Sequence, residues 1–314
     1  MATREELISV GQPPVARTRV GALGRRLRRS RVAYLFVAPA YLLMFAFMAY
    51  PLVESLILSF YEWNGIGPRV FVGLDNFRFL LEDTVFLKAL KNNLIFSALT
   101  TAGTVVLGFL LAVAVERRVL GWSIFKIVYF LPVMMSGTVV GLLWGRLYDP
   151  TYGPINSLLH RLGWENPPVW LGDPNVALYA IILVTIWQYA GFPMVMFLAG
   201  MESIPPEIHD AATLDGVNAR QRMTQIILPL VKHVVSVMVL LQLIFSFKVF
   251  DIIWAMTTGG PGEATTVLGI HLYRESFTYT HFGYGAVIAV VMFVIIFAMF
   301  TAYQRLVRIE QIEY

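Results

Sequence analysis

About six stretches of this chain run for roughly 20 residues with almost no charge, long enough to cross a bilayer as a helix. They lie near Tyr34–Val53, Leu94–Val115, Ile124–Leu147, Val176–Leu198, Val234–Met256 and Ala286–Tyr303. Four of these, the first, second, fourth and sixth, contain no Asp, Glu, Lys or Arg at all. In lipid every backbone amide and carbonyl needs an internal partner, and a single segment can supply those partners only as a helix. With 57% hydrophobic residues, 14% charged and a mean hydropathy of +0.67, a soluble globular chain is excluded. The fold expected is an all-α polytopic membrane protein with about six transmembrane helices.

The segments between the spans carry their own signals. Tyr61 to Gly73 reads as interface and loop, with aromatics beside turn residues. Asp75–Lys91 reads as a helix lying along the membrane, with Phe79, Leu80, Phe86, Leu87 and Leu90 on one side. Residues 148–175 form an irregular loop rich in Pro, Gly, Asn and Trp. Residues 1–31 are a basic tail ending in GRRLRRSR, 32–306 the membrane domain and 307–314 a short tail.

Counting Lys and Arg by side sets the orientation. Sixteen of the twenty-four fall on the side that holds both termini, the 116–126 link and residues 201–233. That side is therefore cytoplasmic. The basic tail reads as a solvated orientation signal; a nucleic-acid arm would need a reader domain that the sequence lacks, so no nucleic-acid partner is expected.

The longest polar interruption late in the chain, Ser203 to Pro229, has an ordered set of helix signals. Ser203 and the Pro205–Pro206 pair suit a helix start, and Glu207 and Asp210 complement its positive end. Ile204, Ile208, Ala211 and Leu214 recur at helical spacing as one apolar face. Gly216 stands where a helix stops in a left-handed conformation, and Asn218 with Gln221 forms a capping box for a second helix running toward Pro229.

Catalytic motifs are absent. There is no phosphate loop, no GxGxxG after a strand, no HExxH and no GxSxG, and with no cysteine there are no thiolate sites. The five scattered histidines read as interface rings. Lys248 and Asp251 sit three apart in the fifth span, as a local ion pair or as the lining of a pathway. Trp187, Gln188, Tyr189, Gln242 and Phe247 offer rings and amides that suit a neutral polyhydroxylated solute, or that hold helices together.

PPEIHDAATLDGVNARQRMTQIILP (Pro205 to Pro229) resembles the cytoplasmic "EAA" loop of membrane subunits in binding-protein-dependent ABC importers. The matching positions are Asp210-Ala211-Ala212, Asp215-Gly216 and Leu228-Pro229, with Asp210 where the family has Glu. YPLVESLILSFYEW, FVGLDNF, GFPMVMFLAGMESIP and FDIIWAMTTGGPGEATTVLGIHLY are similar to segments of carbohydrate-uptake permeases, the maltose/glycerol-3-phosphate type of first subunit. The resemblance implies a transport subunit in a bacterial or archaeal plasma (inner) membrane, not an enzyme. It implies a second permease subunit, two cytoplasmic ATPase subunits that bind ATP and Mg in place of any cofactor here, and an extracytoplasmic solute-binding protein delivering a sugar-like substrate. It also implies that the helix between the fourth and fifth spans is a coupling helix, with Glu207, Asp210, Ala211, Ala212, Asp215, Gly216, Leu228 and Pro229 as ATPase-coupling residues. The alternative, a stand-alone secondary transporter or channel, calls for internal repeats and a mid-span carboxylate pair; neither is visible.

Overall fold

Breaks in the apolar helices, more than the helices themselves, give this protein its form. The structure, a computed structural model, describes residues 31–116 and 121–307. Most of the two tails and part of the 116–126 link lie outside the described residues. The chain divides into two units, Met1–Glu54 and Ser55–Tyr314. The first unit holds α1 (Arg31–Met44), a wide π turn over Phe45–Ala49, and the start of α2 (Tyr50–Leu58). That turn, just ahead of Pro51, absorbs the hydrogen bond that a proline ring removes.

In the second unit a two-residue antiparallel ribbon, β1 (Tyr61–Glu62) with β2 (Val70–Phe71), precedes α3 (Asp75–Glu82) and the 33-residue α4 (Thr84–Glu116). Next come α5 (Trp122–Phe130), α6 (Gly137–Leu147), α7 (Pro154–Arg161), α8 (Ala177–Tyr189) and α9 (Gly191–Glu202). The polar interruption supplies α10 (Pro206–Leu214), α11 (Ala219–Gln221) and α12 (Leu228–Leu230). The chain continues through α13 (Lys232–Phe247), α14 (Asp251–Thr257), α15 (Leu268–Tyr273) and α16 (Phe282–Leu306).

Among the described residues, three helical runs are long and apolar enough to cross a membrane: Tyr34–Leu58, Thr84–Glu116 and Phe282–Leu306. Three further pairs qualify only together, bent by 100° between Trp122–Met134 and Gly137–Leu147, 40° between Ala177–Tyr189 and Gly191–Glu202, and 69° between Ala219–Leu230 and Lys232–Phe247. The count reaches six if each bent pair is one span.

Two expectations from sequence are corrected. The surface helix placed at Asp75–Lys91 ends at Glu82, and Phe86 and Ala89 are buried inside α4. Asp83 makes the division, because its Oδ1 accepts from the amides of Val85 and Phe86 at 2.8 and 3.2 Å and so caps a new helix. The fifth span, placed at Val234–Met256, stops at Phe247, and α14 starts separately at Asp251. That break is stable because its freed carbonyl is taken up: Asn93 Nδ2 donates to Phe247 O at 3.0 Å.

The same device recurs. Gln188 Nε2 donates to Met135 O at 3.0 Å inside the 100° break. Asn92 Nδ2 donates to Ala264 O and Thr266 O, at 3.1 and 2.9 Å, in the loop that follows α14. Asn93 Oδ1 also accepts from the Leu268 amide at 3.1 Å, so one buried amide serves the end of α13 and the start of α15. Small residues let the broken pieces nest: a Cβ on Gly137 would stand 2.1 Å from Asp251 Oδ2, and one on Gly141 2.7 Å from Ala255 Cβ.

Asp83 joins three elements. Its Oδ2 accepts from Tyr284 Oη at 2.5 Å and from His271 Nε2 at 2.8 Å; a carboxylate can only accept here, so the histidine carries its proton on Nε2. Burial works to raise the Asp83 carboxyl, but the bonds from Tyr284, the Phe86 amide and His271 outweigh it and hold the group below the usual carboxylate range. Its contribution is therefore present above the ordinary carboxylate pKa and fades as pH falls through the depressed folded value. Acid titration below about pH 4 is expected to loosen the wild type in detergent more than Asp83→Asn, whose cap no longer titrates; identical acid profiles would contradict this.

Asn93→Ala leaves two backbone groups unpaired, a loss of roughly 2–6 kcal/mol at about 1–3 kcal/mol per buried orphan. A clear fall in the thermal midpoint of the detergent-solubilised protein is expected, and an unchanged midpoint would show that these breaks do not depend on the clamp.

Candidate functional site: a cavity between helices and a braced polar loop

The α10 region is built as its signals require. Gly216 has φ +68°, its amide donates to Thr213 O at 3.1 Å, and the Val217 amide reaches back to Ala212 O at 3.0 Å. This is a Schellman stop, which a glycine adopts without the Cβ clash. Asn218 and Gln221 exchange both bonds of the capping box, at 2.9 and 3.0 Å. A π turn over Arg222–Ile227 then carries the chain past Leu228 and Pro229, both exposed, to the 69° bend at the start of α13.

The apolar face of α10 is one residue away from the expected one. Ile204 is buried and Ile208 packs with it in a core cluster formed with Met194, Phe197 and Met201, and Ala212 is 7% exposed. Ala211 is exposed and Leu214 is 88% exposed. The inward set is therefore Ile204, Ile208 and Ala212, spaced by four, while Glu207, Asp210, Ala211, Leu214 and Asp215 look outward. The loop is braced to α4 by Arg222 Nη2 donating to Glu116 Oε1 at 2.7 Å. A weaker pair, Lys126–Glu202 at 3.7 Å, ties α5 to α9.

The second feature is a cavity of about 440 Å³ enclosed by α4, α8, α13 and the start of α14. Of the residues singled out from sequence, Tyr189, Gln242, Lys248 and Asp251 line it. The other three do not. Gln188 is fully buried and serves the break at Met135. Phe247 is fully buried in a cluster with Leu268 and Val287. Trp187 packs edge-on against Trp144 at 5.4 Å. No ion pair joins Lys248 to Asp251 among the described residues; both line the cavity.

The lining also holds Thr100, Thr104, Thr185 and Ser246, which sequence reasoning missed. Each threonine hydroxyl donates to the carbonyl four residues earlier, at 2.6, 2.7 and 2.9 Å, which leaves its oxygen able to accept. The signal existed: Ser97, Thr100, Thr101 and Thr104 fall at helical spacing in an otherwise apolar run. The wall thus combines apolar rings and aliphatic side chains with a few hydroxyls, one amide, one cation (Lys248) and one anion (Asp251).

Comparison with known proteins places this architecture. Residues 40–309 match the family described as binding-protein-dependent transport system inner membrane component. The chain belongs to that family. A probable ABC transporter permease of Pyrococcus horikoshii is 39% identical over 82% of this chain and 89% of that protein. A probable starch degradation products transport system permease of Thermoanaerobacterium thermosulfurigenes is 31% identical over 84% of this chain and 89% of that protein. The permease fold matches a chain of a bacterial alginate ABC transporter with a TM-score of 0.82, at 22% identity, covering 91% of this chain and 97% of that one. The protein is thus an ABC importer permease of the inner membrane, a transport subunit whose family members are not themselves enzymes.

The permease has no native cysteine, so single cysteines report access directly. Lys248→Cys and Asp251→Cys, exposed in the cavity wall, are expected to react with a small hydrophilic thiol reagent from one side of sealed vesicles, and Ile181→Cys, fully buried in the core, is expected not to. Equal reaction at all three would mean that the cavity is not a distinct aqueous space.

Proposed function

We propose that this permease pairs with a second permease subunit to form the path for a sugar or sugar-like solute, and that α10 couples the path to a separate ATPase. The observation that carries the reading is the outward face of α10. An 88%-exposed leucine, Leu214, stands beside Ala211, Asp210 and Glu207 on a helix held rigid by its glycine stop. An apolar side chain displayed this way suits a partner's groove, and Ala211 allows close approach. Asp210 keeps the family's negative charge on a side chain one methylene shorter, to meet polar or basic groups of the ATPase.

The Glu116–Arg222 brace gives a route for the stroke. Displacement of the loop pulls on the end of α4, and Thr100 and Thr104 of the same helix line the cavity. ATP and Mg are held by the ATPase, and the solute arrives on an extracytoplasmic binding protein. Both termini lie in the cytoplasm under the Lys/Arg asymmetry. A sugar cargo fits the hydroxyl and amide lining, and it is the cargo class in the name of the 31%-identical starch-product relative.

Leu214→Asp is expected to leave membrane insertion intact, to abolish co-purification of the ATPase subunit, and to lower uptake at least about tenfold, equivalent to about 1.4 kcal/mol of docking energy. Ala212→Trp, by contrast, should reduce the amount of folded protein, because Ala212 faces its own core. Full uptake with the ATPase still bound in Leu214→Asp would remove α10 from the coupling role.

A further inference from the structure

The short helix α7 is built the wrong way round for a helix that faces only water. Its amide residue Asn156 is buried, whereas Leu158 and Leu162 are 57% and 74% exposed. Asn156 turns inward because it fastens the segment. Its Oδ1 accepts from Trp170 Nε1 at 2.7 Å, and its Nδ2 donates to Pro150 O and Pro168 O, both at 3.4 Å. Trp170 stacks on Tyr148 at 5.2 Å, and Tyr148 Oη donates to Ala180 O at 3.4 Å. α7 is thereby tied to the end of α6 and the first turn of α8. Each of those helices belongs to a bent apolar pair long enough to cross a membrane, so α7 is held where such segments end.

The helical period divides α7 into three sectors. Ile155 and Asn156 face the body, Ile155 against the core cluster that includes Tyr148 and Ile181. Pro154, Leu158 and Leu162, four apart, form an apolar sector that is open. Ser157, His160 and Arg161 form a polar sector that is also open. Amphipathic rings bracket the helix, Tyr152 just before it and Trp164 just after, both exposed. Rings of this kind settle at the headgroup level of a bilayer.

The apolar sector has polar neighbours on one side only, because its other side runs into the body. A protein-docking patch is rimmed by polar residues, whereas a strip that meets lipid is not. The helices that α7 joins expose apolar residues of their own, Leu142 and Leu143 on α6 and Tyr179 and Leu183 on α8. We propose that α7 is an interfacial anchor whose partner is the bilayer surface. Pro154, Leu158 and Leu162 enter the boundary between headgroups and acyl chains, Tyr152 and Trp164 mark the headgroup level at either end, and Ser157, His160 and Arg161 face water. The anchor holds the junction of two bent pairs at one depth in the membrane, whatever solute the transporter carries.

The chain has no native cysteine, so a single introduced cysteine can carry a nitroxide. The test uses the complete transporter in phosphatidylcholine–phosphatidylglycerol nanodiscs, with any cysteine of the partner subunits replaced. Collision of the nitroxide with oxygen, which concentrates in lipid, is compared with collision with a water-soluble nickel chelate. The ratio of oxygen to nickel collision is expected to be severalfold higher at Leu158→Cys and Leu162→Cys than at Ser157→Cys and His160→Cys, placing the leucine positions about 5–10 Å into the boundary. Nickel access at the leucines equal to that at Ser157 overturns the anchor, since the face would lie in water. A high oxygen ratio at all four positions overturns it too, since the helix would be immersed. Access to neither reagent at the leucines, or failure of either leucine variant to co-purify with its partner subunits, also overturns it, because a protein then covers the face.

Discussion

A backbone carbonyl freed inside an apolar core must find a donor, and in this permease it finds side-chain amides from other helices. Leaving such a group unpaired costs on the order of 1–3 kcal/mol, so a broken helix persists only where a neighbour supplies the missing bond. Asn93 does this for Phe247, Gln188 for Met135 and Asn92 for the loop through Thr266. These three bonds turn what would be straight spans into hinged pieces. The hinges in turn create the space the protein needs: the cavity lies at the Phe247–Asp251 break and beside Val133, next to the 100° bend.

The long helix Thr84–Glu116 unites these parts. Its first turn is capped by Asp83, and its next residues clamp the loop and the α13 break through Asn92 and Asn93. Its middle faces the cavity with Thr100 and Thr104, and its last residue grips Arg222. A helix held at one end by buried hydrogen bonds and at the other by an ion pair transmits displacement along its length. The polar stripe is thus both the fastening of the fold and part of the cavity wall.

The apolar helical runs were legible because segments of that length have few alternatives, whereas their breaks were not. So was the stop-and-restart at Gly216, Asn218 and Gln221, where every partner lies within a few residues. What escaped sequence reasoning depends on partners far apart. The bond that ends α13 at Phe247 comes from a residue 154 positions earlier, and nothing in the local pattern marks it. Gln188 looked like a pathway residue because a buried amide suits either a solute or a backbone carbonyl; only the position of Met135 decides between them. On α10 the buried face takes Ala212 where Ala211 was expected and leaves Leu214 outside, because alanines in succession do not fix a helix's rotation. Ile204 and Ile208 fix it through their packing on Met201 and Phe197.

The central claim is that the α10 loop and the cavity move together through α4. It is tested most directly by the thiol reactivity of Asp251→Cys in the assembled transporter, measured with and without ATP trapped in the partner ATPase. The account predicts that trapping changes the reaction rate at least severalfold, and that Arg222→Ala, which cuts the brace to Glu116, removes most of that change. A rate indifferent to the nucleotide state, or a change fully retained without the brace, would contradict it.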